Sequence, residues 1–257
     1  MLNFRNTNIF FILLLFVLIA VHVNYGLPVY IYPLLFVAYS LIVFYGCYYV
    51  GSNFFIKIIC KAKTEKKEIA ISFDDGPAAN CTPEILELLR QDNIKATFFC
   101  IGNRIAGNEN ILQQIKEEGH IIGNHSYSHH FWFDMFSSQK MLDDMKQMDE
   151  EMQRVIGLKP KLFRPPYGVT NPNLKKAIIK GGYTPVGWSV RSMDTLIKDK
   201  KKLLNKINAA IQPGAVFLFH DTSKTTLQAL PEFIKEVKNK DYNIIPLDKL
   251  LALTAYA

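Results

Sequence analysis

The chain predicts an α/β fold, a parallel sheet or barrel, preceded by a two-helix transmembrane hairpin. Three observations predict it. From residue 68 onward, short apolar runs alternate with helical segments, the pattern of a parallel sheet or barrel. Polar clusters follow the strand candidates at their C-terminal ends, where such folds collect their chemistry. The first fifty residues form two apolar runs unlike anything after them.

The hairpin comes first. Ile9 to Val23 is almost unbroken apolar sequence. After the polar break His22-Val23-Asn24-Tyr25-Gly26, a second run from Leu27 to about Val50 holds no charged residue. A bilayer core takes about 20 apolar residues in helix. The second run meets that length, and the first meets it when it starts near Asn6. Taken alone, the first run also reads as a signal peptide. However, no small-x-small cleavage site follows it, and a second long run does. Residues 1–50 are therefore expected to be a membrane hairpin and residues 51–67 a basic juxtamembrane linker. Residues 68–257 are expected to be one catalytic domain, long enough for a full core.

Charge follows the same division. The formal net charge is +7 over 257 residues. Residues 1–67 carry six Lys/Arg and one acid, whereas residues 68–257 carry 24 and 22. The excess sits at Lys57, Lys61, Lys63, Lys66 and Lys67, beside the hairpin. Such clusters meet anionic membrane lipid and mark a cytoplasmic flank. With Arg5 at the other end and no charge in the connecting loop, the charge rule favours the cytoplasmic side for the domain, with the extracytoplasmic side as the alternative. No basic-aromatic interleaving points to nucleic acid. Cys47, Cys60, Cys81 and Cys100 show no CxxC spacing, so cysteine-bound zinc is not expected, and four free thiols favour a reducing compartment.

In the catalytic domain the strand candidates are 69–73, 96–101, 120–124, 161–164, 183–189, 215–219 and 242–246. Thr82-Pro83-Glu84 opens a helix to about Gln91. Asn171-Pro172 repeats the device, and Gly181 closes that helix. Between Ser138 and Ile156, Met141, Met145, Met148, Met152 and Val155 recur at steps of four and three, a core face.

The chemistry begins at Ser72-Phe73-Asp74-Asp75-Gly76-Pro77, an apolar run ending in two acids and a turn. His125-Ser126-Tyr127-Ser128-His129 follows fifty residues later. These supply three metal ligands and a spare carboxylate. Neighbouring side chains on an extended chain point to opposite faces, so the two acids are expected to divide their roles, one binding metal and one accepting a proton. Arg164-Pro165-Pro166-Tyr167-Gly168, Asp194 and His220-Asp221 close further strands. His120 is expected to be structural and His130 to point away from the site. Phe131, Trp132, Phe133 and Phe136 are expected to pack, with a wall for sugar or lipid as the alternative. Lys198 to Lys202 reads as a solvated face.

Four of these stretches, Ser72–Pro77, His125–His129, Arg164–Gly168 and Leu218-Phe219-His220-Asp221, resemble in order the motifs of the NodB-like polysaccharide deacetylases, carbohydrate esterase family 4. The resemblance covers about residues 66–250. It implies a distorted (β/α) barrel of about seven strands, a divalent metal with zinc foremost, and hydrolysis of acetyl or similar acyl groups on N-acetylated sugars; a polysaccharide or a lipid-linked glycan is the expected substrate. Asp75, His125 and His129 match the metal ligands, Asp74 the general base and His220 the general acid. Arg164, with Asp194, resembles the tether of the base. The Tyr167 N–H would support the oxyanion, and Leu218 would line the acyl pocket. One departure stands out. The family's Asp-x-x-Asp-Trp stretch reads Arg191-Ser192-Met193-Asp194-Thr195 here. Arg191 either pairs with a nearby acid or grips an anionic substrate such as a lipid-phosphate sugar.

The family also contains ester-cleaving members, so an O-acetyl esterase stays open. A glycoside hydrolase would need facing carboxylates about 5–9.5 Å apart and would leave the histidines unexplained. A non-catalytic metal-binding membrane scaffold would have no use for His220.

Overall fold

The computed structural model describes residues 2–257. Two helices, α1 (Phe4–Tyr25) and α2 (Ile31–Tyr48), are long and apolar enough to cross a membrane. Gly26 ends α1 in a left-handed cap at φ 70°, which reverses the chain into α2. The pair is held side by side by Tyr39, whose hydroxyl donates to Asn8 at 2.9 Å, and by Phe11 edge-on to Tyr39.

The rest is a parallel sheet wrapped by helices. Its strands are β1 (Glu68–Asp74), β2 (Thr97–Cys100), β3 (Ile121–Asn124), β4 (Leu162–Phe163), β5 (Thr184–Pro185), β6 (Val190–Arg191), β7 (Val216–His220) and β8 (Asn243–Ile244). Their order is β5-β4-β3-β2-β1-β7-β6, with β8 also on β1. Every ladder is parallel. β5 and β6 are neighbours in sequence yet lie at opposite ends of this path. The sheet is therefore a curled half-barrel with an open seam. The helices are α3 (Thr82–Gln91), α4 (Glu109–Glu117), α5 (Ser138–Ile156), α6 (Pro172–Gly181), α7 (Lys200–Ala209), α8 (Lys224–Asn239) and α9 (Leu247–Leu251).

Local chemistry explains these elements. Ser137 caps α5 through Lys140 N–H, and Asn171 caps α6 through Leu174 N–H. Met141, Met145, Met148 and Met152 are all buried, as a core face requires. Phe73, Phe98, Phe217, Phe219 and Phe233 fill one side of the sheet in stacked and edge contacts. A buried phenylalanine is worth about 1.5–3 kcal/mol of transfer free energy, so this layer sets the register from which the site is hung.

One expectation changes. The strand expected at 183–189 splits, because Val186, Gly187 and Trp188 leave β5 and cross the seam before β6 begins. The Val186 and Gly187 carbonyls are turned inward and bonded to Arg164 rather than to a ladder. Residues 51–67 lie against the domain. Phe54, Phe55 and Ile58 are buried, Ile59 bridges Val186, and Ala62 N–H bonds Gly214 O at 3.0 Å. The feet of both long helices are bonded to this docked segment or to the domain. Phe4 N–H donates to Phe54 O at 2.9 Å, and Thr170 N–H donates to Cys47 O at 3.0 Å. The Thr170 hydroxyl adds a bond to Gly46 O at 3.1 Å.

Candidate active site

The strand ends converge on one cleft of about 190 Å³. Asp74 ends β1 and His220 ends β7, and these two pair directly in register. His125 follows β3, Arg164 follows β4, and Arg191 ends β6 opposite Leu218. Asp74, Asp75, His125, His129, Tyr167, Arg191, Leu218 and His220 all line the cleft. Arg164 and Asp194 lie wholly buried behind it.

Asp75, His125 and His129 offer one ligand atom each within 4.8 Å of one another. Asp75 Oδ1 lies 3.7 Å from His125 Nε2 and 3.5 Å from His129 Nε2. Tetrahedral bonds of about 2.0–2.1 Å set donors roughly 3.3 Å apart, so the donor set fits a small divalent ion with little movement. The histidines are also in the right protonation state. Burial pushes His125 down to about 3, with the neighbouring His129 charge adding to it, and burial lowers His129 against the pull of Asp75. His125 Nδ1 lies 2.8 Å from the Arg164 carbonyl. A carbonyl only accepts, so Nδ1 carries the hydrogen and the Nε2 lone pair faces Asp75.

The strand-alternation reasoning for the two acids fails here. Asp75 sits at φ 81°, in the left-handed region, so the chain is no longer extended and both carboxylates turn into the same cleft. Asp74 Oδ2 is also 3.7 Å from His125 Nε2. Their partners separate them instead. Asp75 reaches both histidines, whereas Asp74 Oδ1 accepts from Arg164 at 2.7 Å. Burial raises the Asp74 carboxyl above its ordinary value, and the Arg164 guanidinium opposes that rise.

Arg164 is fully enclosed, and every part of its head is used. It donates to Ser72 Oγ at 2.8 Å, Val186 O at 3.3 Å and Gly187 O at 2.9 Å, and it lies 4.0 Å over the Phe99 ring. It thereby ties the Val186 and Gly187 carbonyls to the Asp74 carboxylate. Asp194 does not share that task, contrary to expectation. Asp194 Oδ1 accepts from His220 Nδ1 at 2.7 Å, and Oδ2 accepts from His220 N–H at 2.7 Å and from the Thr226 hydroxyl. Burial works against a charge on His220, but the Asp194 bond and carboxylate outweigh it and hold the imidazole up to about 9. These contacts favour the charged form of the ring.

Arg191 makes no ion pair among the described residues; its guanidinium stands 5.9 Å over Trp188. The expected acidic partner is thus replaced by an indole. The aromatic cluster divides. Phe133 is buried and Phe136 packs against it, while Phe131 and Trp132 are 68% and 58% exposed. Phe131 lies 6.3 Å from Tyr167 at the rim of the cleft. His120 is buried, accepts from Ala96 N–H at 3.0 Å, and takes no part in the site. His130 is exposed, its Nδ1 accepting from Trp132 N–H.

Several residues that support the site carry weak signals in the chain. Asn124 accepts from Ser126 N–H and donates to Asp149, which also binds the Tyr183 hydroxyl. Asp144 accepts from Tyr127 and Ser128 N–H. Together these acids of α5 shape the loop between the two histidines. Asp221 is buried, raised to about 7 by burial against its Thr82 bond, and so close to Gly76 that a Cβ there would lie 1.9 Å from Oδ2. Trp188 packs on Gly168, where a Cβ would come within 2.5 Å of the indole. A polar residue ending a buried strand, as Asn124 does, is the one clue the chain offered.

Comparison with known proteins agrees with this geometry. The polysaccharide deacetylase family profile matches residues 61–186. The chain is 32% identical over 202 residues to the peptidoglycan-N-acetylglucosamine deacetylase PgdA of Listeria monocytogenes. That match takes in 79% of this chain but 42% of the relative, so the chain spans less than half of that relative's length. It is 31% identical over 216 residues to the peptidoglycan-N-acetylmuramic acid deacetylase PdaA of Bacillus subtilis, covering 82% of this chain and 78% of PdaA. A crystal structure of a peptidoglycan N-acetylglucosamine deacetylase superposes with a TM-score of 0.74 at 30% identity, over 78% of this chain and 95% of that one. Sequence, fold and strand-end geometry lead to one assignment: the chain belongs to the polysaccharide deacetylase family.

Proposed function

We propose that the protein is a membrane-anchored, metal-dependent hydrolase that removes acetyl groups from N-acetylated sugars of a glycan of the peptidoglycan kind. The observation that carries this reading is the pairing of an Asp/His/His donor set with two oppositely prepared proton carriers, Asp74 and His220, around one cleft.

Asp75, His125 and His129 would hold the ion, and zinc suits two imidazoles and a carboxylate best. When bound, a divalent ion supplies Lewis-acid polarisation of the acyl carbonyl and makes water a stronger acid. The residues do the rest. Asp74, with a carboxyl raised by burial and aimed by Arg164, takes the proton from the attacking water. His220 has its Nδ1 engaged by Asp194, which leaves Nε2–H to protonate the leaving amine. The Tyr167 N–H supports the developing oxyanion, and the Leu218 side chain receives the acyl methyl. Trp188 and Arg191 form the wall that meets the rest of the sugar.

The hairpin anchors the enzyme. Both of its feet are bonded on the catalytic side, which supports the reading that the amino terminus and the catalytic domain share one face of the bilayer. A lipid-linked sugar is the second substrate reading, favoured by one observation: Arg191, without an acidic partner among the described residues, lines the cleft and could receive a phosphate.

The test is acetate release by the purified full chain from N-acetylated glycan oligomers, with and without a strong chelator. Release that stops with chelation and returns with zinc supports the reading. Equal release in exhaustively chelated enzyme overturns it, and release from O-acetylated sugars alone would make the protein an esterase.

A further inference from the structure

A second hollow, of about 440 Å³, lies away from the active-site cleft at the foot of α1. Its wall carries three cations from three separate parts of the chain: Arg5 on α1, Lys57 on the docked segment and Lys175 on α6. No acid lines it, and none of the three cations makes an ion pair among the described residues. Three exposed cations around one hollow with no acid in its wall give it a positive potential, which favours an anion.

The floor is rigid and apolar. Phe4, Phe54 and Phe55 form a ring cluster with centroids 4.9–6.0 Å apart, and Phe4 N–H is bonded to Phe54 O. The hollow thus joins a basic upper wall to an aromatic floor at the level where the apolar surface of α1 begins. That is the chemistry of a phosphate carried on an acyl chain.

We propose that this hollow binds the phosphate headgroup of an anionic phospholipid, with Arg5, Lys57 and Lys175 as its donors. The proposal rests on the reading that α1 and α2 span a bilayer. The guanidinium can bind the phosphate through two parallel hydrogen bonds, and the ammoniums contribute as point charges. Because Lys175 belongs to the catalytic domain and Arg5 to the hairpin, one bound lipid would clamp the domain to its anchor. α6 begins just after Thr170, the residue that holds the end of α2, so the clamp acts beside the active-site loop.

The experiment uses the full chain in detergent, with native mass spectrometry counting lipid bound from an equimolar mixture of phosphatidylglycerol and phosphatidylcholine. Wild-type protein should retain phosphatidylglycerol in preference. Each basic residue near a membrane surface is worth roughly fivefold in affinity, so Lys57→Gln/Lys175→Gln should weaken that retention roughly 25-fold. The exposed pair Lys201→Gln/Lys202→Gln on α7 should leave it unchanged. Equal loss in both double variants, or no preference in wild type, would overturn the proposal. Displacement of the lipid by an equal concentration of inorganic phosphate would reassign the hollow to free phosphate. Flotation of the protein with liposomes separates the two layers of inference. A chain that does not float removes the anchoring reading and this proposal together, whereas a chain that floats without lipid preference removes only the proposal.

Discussion

Asp194 Oδ1 accepts a hydrogen bond from His220 Nδ1 at 2.7 Å, and that single contact decides which end of the imidazole meets the cleft. It also favours the charged ring: burial opposes the charge, and the Asp194 bond and carboxylate, with smaller help from Asp74 and Asp75, push His220 up. On the proposed reading His220 is the acid, and its partner Asp194 is a buried residue that does not line the cleft.

The first prediction follows from that contact. His220 is held up to about 9, above its ordinary 6.5. Activity that needs the cation is therefore present at neutral pH and falls as pH rises through the folded value. The associated stability is full below 6.5 and is lost over the same rise. In Asp194→Asn the basic limb of the kcat/KM profile should move down toward 6.5 and kcat should fall about 10²-fold or more. A pH–rate profile of the variant checks this, and an unmoved basic limb would deny Asp194 its role.

Arg164 offers a stability test. Removing one partner of a buried ion pair costs about 3–5 kcal/mol, and Arg164 also bonds two carbonyls across the open seam. Arg164→Met should lose stability on that scale in urea unfolding. Arg164→Lys should recover only part of it, because an ammonium cannot reach Asp74, Ser72, Val186 and Gly187 together. Near-wild-type stability of Arg164→Met would show that the seam is held by something else.

The broad architecture was legible in the chain because apolar runs and caps are local signals. α5 runs from Ser138 to Ile156 with its methionine face inward, as its spacing implied. The departures arise where distant groups decide. Val186 and Gly187 look like strand continuation, yet their carbonyls are claimed by Arg164 from another strand end. Asp74 and Asp75 look like alternating neighbours, yet a left-handed φ at Asp75 turns both inward. Asp194 carries no local mark of its partner, since its distance to His220 depends on how β6 and β7 pair. The burial of Phe133 beside exposed Phe131 and Trp132 is likewise set by a three-residue turn no periodicity shows.

His120 gives a prediction outside the active site. Burial lowers it to about 4, and its Nδ1 accepts from Ala96 N–H, which requires the neutral ring. A depressed folded pKa means that this stability is present above pH 6.5 and lost as pH falls through about 4. Thermal melts should drop over that window, and His120→Gln, which keeps an acceptor, should flatten the drop. An unchanged acid limb in the variant would assign acid sensitivity to other groups.

Arg191 tests the substrate. Arg191→Ala should raise KM for an acetylated sugar bearing a phosphate while sparing a small neutral acetylated sugar, because the lost group is a phosphate donor rather than part of the reacting centre. Steady-state kinetics on the two substrates measure the difference. Equal losses on both would make Arg191 a structural support for Trp188.

The division of labour between the adjacent acids is the central claim, and metal content measured beside turnover tests it most directly. Asp74→Asn should keep about one divalent ion per chain, as wild type does, while turnover falls about 10²–10⁴-fold. Asp75→Asn should lose both the ion and the activity. An Asp74→Asn protein that emptied of metal, or an Asp75→Asn protein that kept it, would contradict the assignment.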